Sequence, residues 1–162
     1  MTYESNTGLG VLNHYGPRET NGKYGAATAG TGIVKRAQWE FSYNDLPDAA
    51  TNGLGFVIPA GAIIKSAVLY VDQAWTSTSG TTDLTVGLQE ADGTEIDNDG
   101  LIDATDATQT AIATEGNVVN GGGALVGATI GSAAGELVVA GTDTDLTAGK
   151  ARVVVEYVYD KD

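Results

Sequence analysis

An all-β fold, an antiparallel β-sandwich or jelly roll with an extended N-terminal arm, is what this sequence predicts. Three observations carry the prediction. Seven or eight short segments with strand patterning recur at roughly 8–15-residue spacing, no segment sustains a long amphipathic helical period, and 23 of the 162 residues are Gly. That Gly share is close to twice the usual one and calls for many turns. The absence of strand–helix–strand alternation sets aside the parallel α/β classes, and no internal repeat points to a solenoid or propeller.

Residues 1–34 read as the arm and residues 35–162 as a single sandwich domain, long enough to hold one core without staples. Met1 to Gly32 has seven Gly, and its Leu9, Val11, Leu12, Tyr15 and Tyr24 fit neither a helical nor a strand period. Such a segment does not fold alone; it gains order by packing on something or stays a frayed terminus. Ala37 to Tyr43 sets Trp39, Phe41 and Tyr43 on one face against Gln38, Glu40 and Ser42 on the other, which is half-buried strand patterning. Phe56 to Asp72 is divided by Pro59 and Gly61 into a short strand and a long one. The long piece, Ala62 to Asp72, is apolar on both faces, as expected of a strand between two packed layers.

Leu84 to Glu90 alternates again with Leu84, Val86 and Leu88 inward, and Asp92-Gly93 marks a turn. Asp103 to Thr114 is spaced for a short helix at most. Val118-Val119, Leu125 to Ile130 and Glu136 to Ala140 are short strand candidates, with Gly121-Gly122-Gly123 a flexible connection between them. Ala151 to Tyr159 is the second strand apolar on both faces, and it is expected beside Ala62 to Asp72 in the middle of a sheet.

Composition excludes several chemistries. With no Cys there is no disulfide framework, thiolate nucleophile or zinc knuckle, and a single His, His14, removes multi-His metal sites and most catalytic triads. The formal net charge of -13 repels phosphate backbones and anionic lipid, so neither nucleic acid nor membrane is an expected partner. No apolar run approaches a bilayer span, and Met1-Thr-Tyr-Glu4 lacks the basic start and apolar centre of an export signal. Charge is also uneven along the chain. Residues 1–65 hold five bases and five acids, residues 66–162 hold 3 bases and 16 acids, and no Lys or Arg occurs from Ser66 through Gly149. A surface drifting acidic for solubility gives such a pattern; so does a neutral N-terminal part that docks while an acidic remainder faces outward.

The sharpest local motif runs from Glu95 to Asp106. It places Glu95, Asp97, Asp99, Asp103 and Asp106 at positions 1, 3, 5, 9 and 12 of a frame with Gly100 at position 6, close to the spacing of a calcium loop. Glu95 stands where the shorter Asp is wanted, Asp106 where a bidentate Glu is wanted, and helical flanks are missing. The segment reads as a calcium site or, more in keeping with those departures, as a solvated acidic turn. Asp97 and Asp99 also form a carboxylate pair of the sort glycoside hydrolysis uses, but acids this dense make some pair inevitable, and no catalytic residue or cofactor is expected. Gly8-Leu-Gly10 and Gly30-Thr-Gly32 are not phosphate loops. Trp39 reads as core, whereas Trp75, near the turn at Thr76 to Gly80, is open to stacking on a sugar.

The phrases Val57-Ile-Pro-Ala-Gly-Ala-Ile-Ile-Lys-Ser-Ala-Val-Leu-Tyr-Val71, Leu84-Thr-Val-Gly-Leu-Gln-Glu-Ala-Asp-Gly93, Gly100-Leu-Ile-Asp103, Gly123-Ala-Leu-Val-Gly127 and Leu146-Thr-Ala-Gly-Lys-Ala-Arg-Val-Val-Val-Glu-Tyr157 are similar to those of small β-rich virion proteins. They resemble the capsid decoration, or cement, proteins of tailed double-stranded DNA bacteriophages, cyanophages among them. The resemblance covers roughly residues 37–160 by phrase order and leaves the arm unmatched. It implies a non-enzymatic protein on the capsid exterior of the virion, bound to the major capsid protein and commonly trimeric. It transfers no functional residue. From the residues themselves, Tyr15, Arg18, Lys23, Tyr24, Lys35 and Arg36 are the candidate capsid or subunit contacts, because this stretch joins half of all the basic groups to several aromatics. Two other readings remain: a carbohydrate-binding fibre or receptor-binding module using Trp75, and a calcium-stabilised adhesin-like domain.

Overall fold

The computed structural model describes residues 34–46, 52–80, 82–142 and 146–159. Eight strands dominate: β1 (Val34–Ser42), β2 (Asn52–Ile58), β3 (Ile63–Ser77), β4 (Leu84–Gln89), β5 (Glu95–Ile102), β6 (Val118–Asn120), β7 (Gly135–Gly141) and β8 (Leu146–Val158). Among the described residues there is one short α-helix, α1 (Gln109–Ile112), with Ile112 buried in the core, and a single 3-10 turn at Tyr43–Asp45 after β1.

The pairing order explains the architecture. The first strand pairs with the eighth, the second with the seventh, the third with the sixth and the fourth with the fifth, all antiparallel. The chain is thus doubled on itself as one long ribbon whose tip is the turn at Asp92-Gly93. There Gly93 takes a φ of 87°, and the Thr94 amide donates to the Asp92 carboxylate at 2.9 Å. Two more pairings, β3 with β8 and β4 with β7, roll the ribbon into a first sheet of order β1-β8-β3-β6 and a second of order β2-β7-β4-β5. This is the eight-stranded jelly roll, the more specific of the two expected architectures. The two strands apolar on both faces are neighbours at the centre of the first sheet, as the sequence indicates.

Alternation fills the space between the sheets. Phe41, Ile64, Leu69, Val71, Trp75, Val153 and Val155 point in from the first sheet and meet Ile58, Leu84, Val86, Leu88, Leu137 and Val139 from the second. Each such side chain taken from water contributes about 1.5–3 kcal/mol. Trp75 is wholly buried, with its ring centroid 5.7 Å from that of Phe41, so it is a core residue and has no face to offer a sugar. Trp39 is only half-buried and meets Phe56 edge-on at 4.8 Å, closing the side of the sandwich where β1 and β2 run.

Three segments differ from their expected form. Glu95 to Ile102 is a strand, drawn into the second sheet by β4 despite its acids. Leu125 to Ile130 forms turns and a single bridge, Thr129 to Ile63, because Gly127 and Gly131 take left-handed torsions that stop a strand. Gly121 to Gly123 is no flexible connection. Its amides donate to Ala67 O, Asp106 Oδ2 and Leu101 O, and a Cβ on Gly121 or Gly123 would run into the backbone of Leu101 or Gly100.

Gly149 sets a testable limit on this core. Its φ is 143°, and a Cβ there would overlap the indole of Trp75. Gly149→Ala is expected to lower stability by about 2 kcal/mol or more, measured by chemical denaturation followed by tryptophan fluorescence.

Candidate functional site

Residues directly opposed in antiparallel strands share a face, so the register fixes what the first sheet shows to solvent. Its outer face reads in rows: Val34, Val158 and Ile63; Arg36, Glu156 and Ser66; Gln38, Val154, Val68 and Asn120; Glu40, Arg152, Tyr70 and Val118. Val34, Ile63 and Val118 are 42%, 46% and 45% exposed, and they are three of the four exposed large hydrophobic residues among those described. Val154 is buried yet lies outside the core cluster, covered only by its neighbours on this face. The sequence shows the cause, since two strands are apolar on both faces. A covering layer was the expected consequence, but none of the described residues supplies it. Among the described residues nothing covers this face, which interleaves apolar side chains with charged ones; exposed apolar surface of this kind marks docking sites.

The charge is sorted by sheet. All five bases among the described residues, Lys35, Arg36, Lys65, Lys150 and Arg152, lie on strands of the first sheet, against Glu40, Asp72 and Glu156. Strands of the second sheet hold no base and four acids, Glu95, Asp97, Asp99 and Glu136. The polarity expected between the two ends of the chain is therefore a polarity between the two sheets. On the outer face Lys150 pairs with Glu40 at 3.1 Å. Arg152 donates through Nε to both Asp72 oxygens, at 3.0 and 2.8 Å, and stacks over Tyr70 at 5.6 Å. Those hydrogen bonds to Asp72 push the guanidinium above its already high ordinary value. Lys35 and Arg36 open β1 and are exposed, with Lys35 Nζ 5.2 Å from the Tyr159 ring centroid. Tyr15, Arg18, Lys23 and Tyr24 lie outside the described residues, as does His14.

The acidic motif is not wrapped around one point. Glu95, Asp97 and Asp99 run along β5, while Asp103 and Asp106 follow the strand and shape the next turn. Among the described residues no group of three or more His, Cys, Asp or Glu gathers as metal ligands would. Asp103 Oδ1 accepts from the Thr105 amide at 2.7 Å, the Thr105 hydroxyl at 2.6 Å and the Asp106 amide at 2.9 Å. Asp106 Oδ2 accepts from the Gly122 amide at 2.6 Å, tying this turn to the Gly run. These acids hold backbone in place. The register of β5 against β4 slips between Asp97 and Ile102, and this bulge lies so close over Gly87 that any side chain there would meet Asp97 and Asn98 backbone.

Against known proteins, no protein-family model matches the chain, and no curated protein matches it in sequence. Solved structures do share its fold. The chain is similar to one in the acidic stable capsid structure of Helicobacter pylori bacteriophage KHP30, with a TM-score of 0.56 and 16% identity, over 81% of this chain and 91% of that one. It is similar to a chain of the Ralstonia phage GP4 capsid, with a TM-score of 0.58 and 19% identity, over 83% and 90%. A chain of the cyanophage Pam1 capsid asymmetric unit matches over 95% and 96%, with a TM-score of 0.50 and 19% identity. At such identities the likeness is one of fold, and the fold is one that chains of phage capsid structures use.

Two carboxyls in this region give opposite pH signatures. Partial burial, then the hydrogen bond shared with the Asp99 carboxyl, raises Asp97 above its ordinary 3.8. Between 3.8 and that raised value the folded chain binds more protons than the unfolded one, so this group lowers stability as pH rises and its cost is fully present at neutral pH. Asp97→Asn is expected to melt no lower than the parent at pH 7, with any gain vanishing as the parent's Asp97 becomes protonated. The Thr105 hydroxyl, then the Asp106 amide, hold Asp103 below 3.8; its contribution is present above that pH and is lost as pH falls through the lower folded value. Asp103→Ala is expected to cost about 1–2 kcal/mol at pH 7, equally in calcium and in chelator, by thermal melting.

Proposed function

We propose that this chain is a structural virion protein that binds the outer surface of a phage capsid and stabilises the head as a decoration, or cement, protein, with no enzymatic step. The single observation that carries the reading is the outer face of the first sheet, which combines the exposed Val34, Ile63 and Val118 with Arg36, Lys150 and Arg152. The occurrence of the same fold among chains of phage capsid structures supports it. In this reading the first sheet lies against the major capsid protein. The acidic second sheet faces out, where like charge keeps particles apart.

Energetics make chemistry unnecessary. A protein that binds only the assembled shell stabilises that shell by mass action, about 2.7 kcal/mol per site at a hundredfold excess over Kd. Apolar contact at about 25 cal/mol per Å² and a few placed charges supply the affinity. Three copies around a local threefold axis are the arrangement that bridges several capsomers at once, and the bases and aromatics of the arm, Tyr15, Arg18, Lys23 and Tyr24, add contacts beyond the sheet.

The test is co-sedimentation with emptied capsid shells. Ile63→Asp combined with Val118→Asp is expected to lower occupancy at least tenfold while leaving the circular dichroism and melting temperature of the free protein within a few degrees, because both side chains are exposed. Removing residues 1–33, which keeps β1 intact, is expected to weaken binding further. Full occupancy by the double Asp variant contradicts the docking face, and full occupancy without the arm contradicts the arm's part in it.

A further inference from the structure

We propose that β1 pairs with β1 of a second copy of this chain, antiparallel and centred on Gln38, so that the two first sheets continue as one eight-stranded sheet. The inference rests on the edges of the sandwich and stands whether or not the chain binds a capsid. Of the four edge strands, three are blunted in the ways natural sheets use. β6 has three residues; β2 slips register against β7 between Gly53 and Val57; β5 bulges against β4. The fourth, β1, is nine residues long, contains neither Pro nor Gly, and keeps unbroken register with β8 from Val34 to Ser42. None of the described strands pairs with its other side, whose row of main-chain donors and acceptors is the template for strand addition.

The side chains choose the occupant. Keeping both sandwiches on the same side of a joined sheet requires opposed residues to come from the same face. Among the central registers that do so, only the one centred on Gln38 sets Arg36 opposite Glu40 of the second copy, and by symmetry does so twice. Shifting the centre by one residue either way opposes Arg36 with Gln38 or with Ser42 and loses both charge pairs. Opposite charges facing each other across strands are favourable, and like charges directly opposed are not. On the inner face the same register puts the small Ala37 beside the half-buried Trp39 of the second copy. The pairing is isologous, and it joins two copies across a twofold axis that is distinct from the threefold arrangement proposed above.

Because the chain has no Cys, a single introduced thiol reports the register without background. Directly opposed residues of antiparallel strands have Cα atoms about 4.5–5.5 Å apart, within disulfide reach. Gln38→Cys is expected to give a covalent dimer on non-reducing denaturing gels at least tenfold faster under mild oxidation than the exposed control Thr110→Cys. Sedimentation velocity supplies the second measurement. Glu40→Arg is expected to weaken self-association at least tenfold, and Arg36→Glu with Glu40→Arg to restore it. Equal crosslinking rates for the two cysteine variants, or a charge reversal that is not rescued by the double swap, overturns the proposal.

Discussion

The pairing of β3 with β8 is the constraint on which the rest of the molecule depends. Both strands are apolar on both sides, and they meet at the centre of the first sheet over eleven paired positions, from Ile63 opposite Val158 to Ser77 opposite Leu146. Their inner sides, Leu69, Val71, Trp75, Val153 and Val155 among them, line the core from the first sheet. Their outer sides, Val68, Tyr70, Val154 and Val158 with Ile63, make the surface that nothing described covers. Folding and docking therefore draw on the same two strands, and a one-residue slip between them would exchange one set for the other. Such a slip is opposed by Arg152, which stacks on Tyr70 and grips Asp72 through Nε.

Charge gives the body a direction that shape alone does not. The bases gather on the first sheet, where acids balance those of its outer face, and the unpaired acids of β5 and β7 on the second, so the two sheets differ in charge as well as in hydropathy. A sandwich with one apolar, base-bearing face and one acidic face has a defined way up on a larger assembly. The charge step near residue 66 in the sequence is its trace. It is imperfect because β8, far along the chain, returns to the first sheet and brings Lys150 and Arg152 with it.

Much of the fold was legible from period and punctuation. Alternation identified β1 and β4 and the inward Leu84, Val86 and Leu88; Pro59 and Gly61 separated β2 from β3; Asp92-Gly93 marked the ribbon tip. What escaped was decided by tertiary partners. Glu95 to Ile102 carries three acids and a Gly, residues depleted in strands, and becomes one because β4 offers a ladder. Leu125 to Ile130 has strand-like residues, but its torsions at Gly127 and Gly131 belong to turns. Trp75 lies close to a turn in sequence and at the bottom of the core in space, because β3 runs on to Ser77. The docking face was half legible. Two-sided apolar strands were visible in the sequence, but only the sheet order shows that no layer of the described chain lies over them.

The most direct measurement is hydroxyl-radical footprinting of the protein free and bound to emptied shells, read residue by residue by mass spectrometry. The account predicts protection of Ile63, Val68, Tyr70 and Val118 on the first sheet, with Ile96 on the second sheet and the ribbon tip from Ala91 to Thr94 as reactive as in the free protein. Protection at the tip and along β5, with Ile63, Tyr70 and Val118 unchanged, would contradict it.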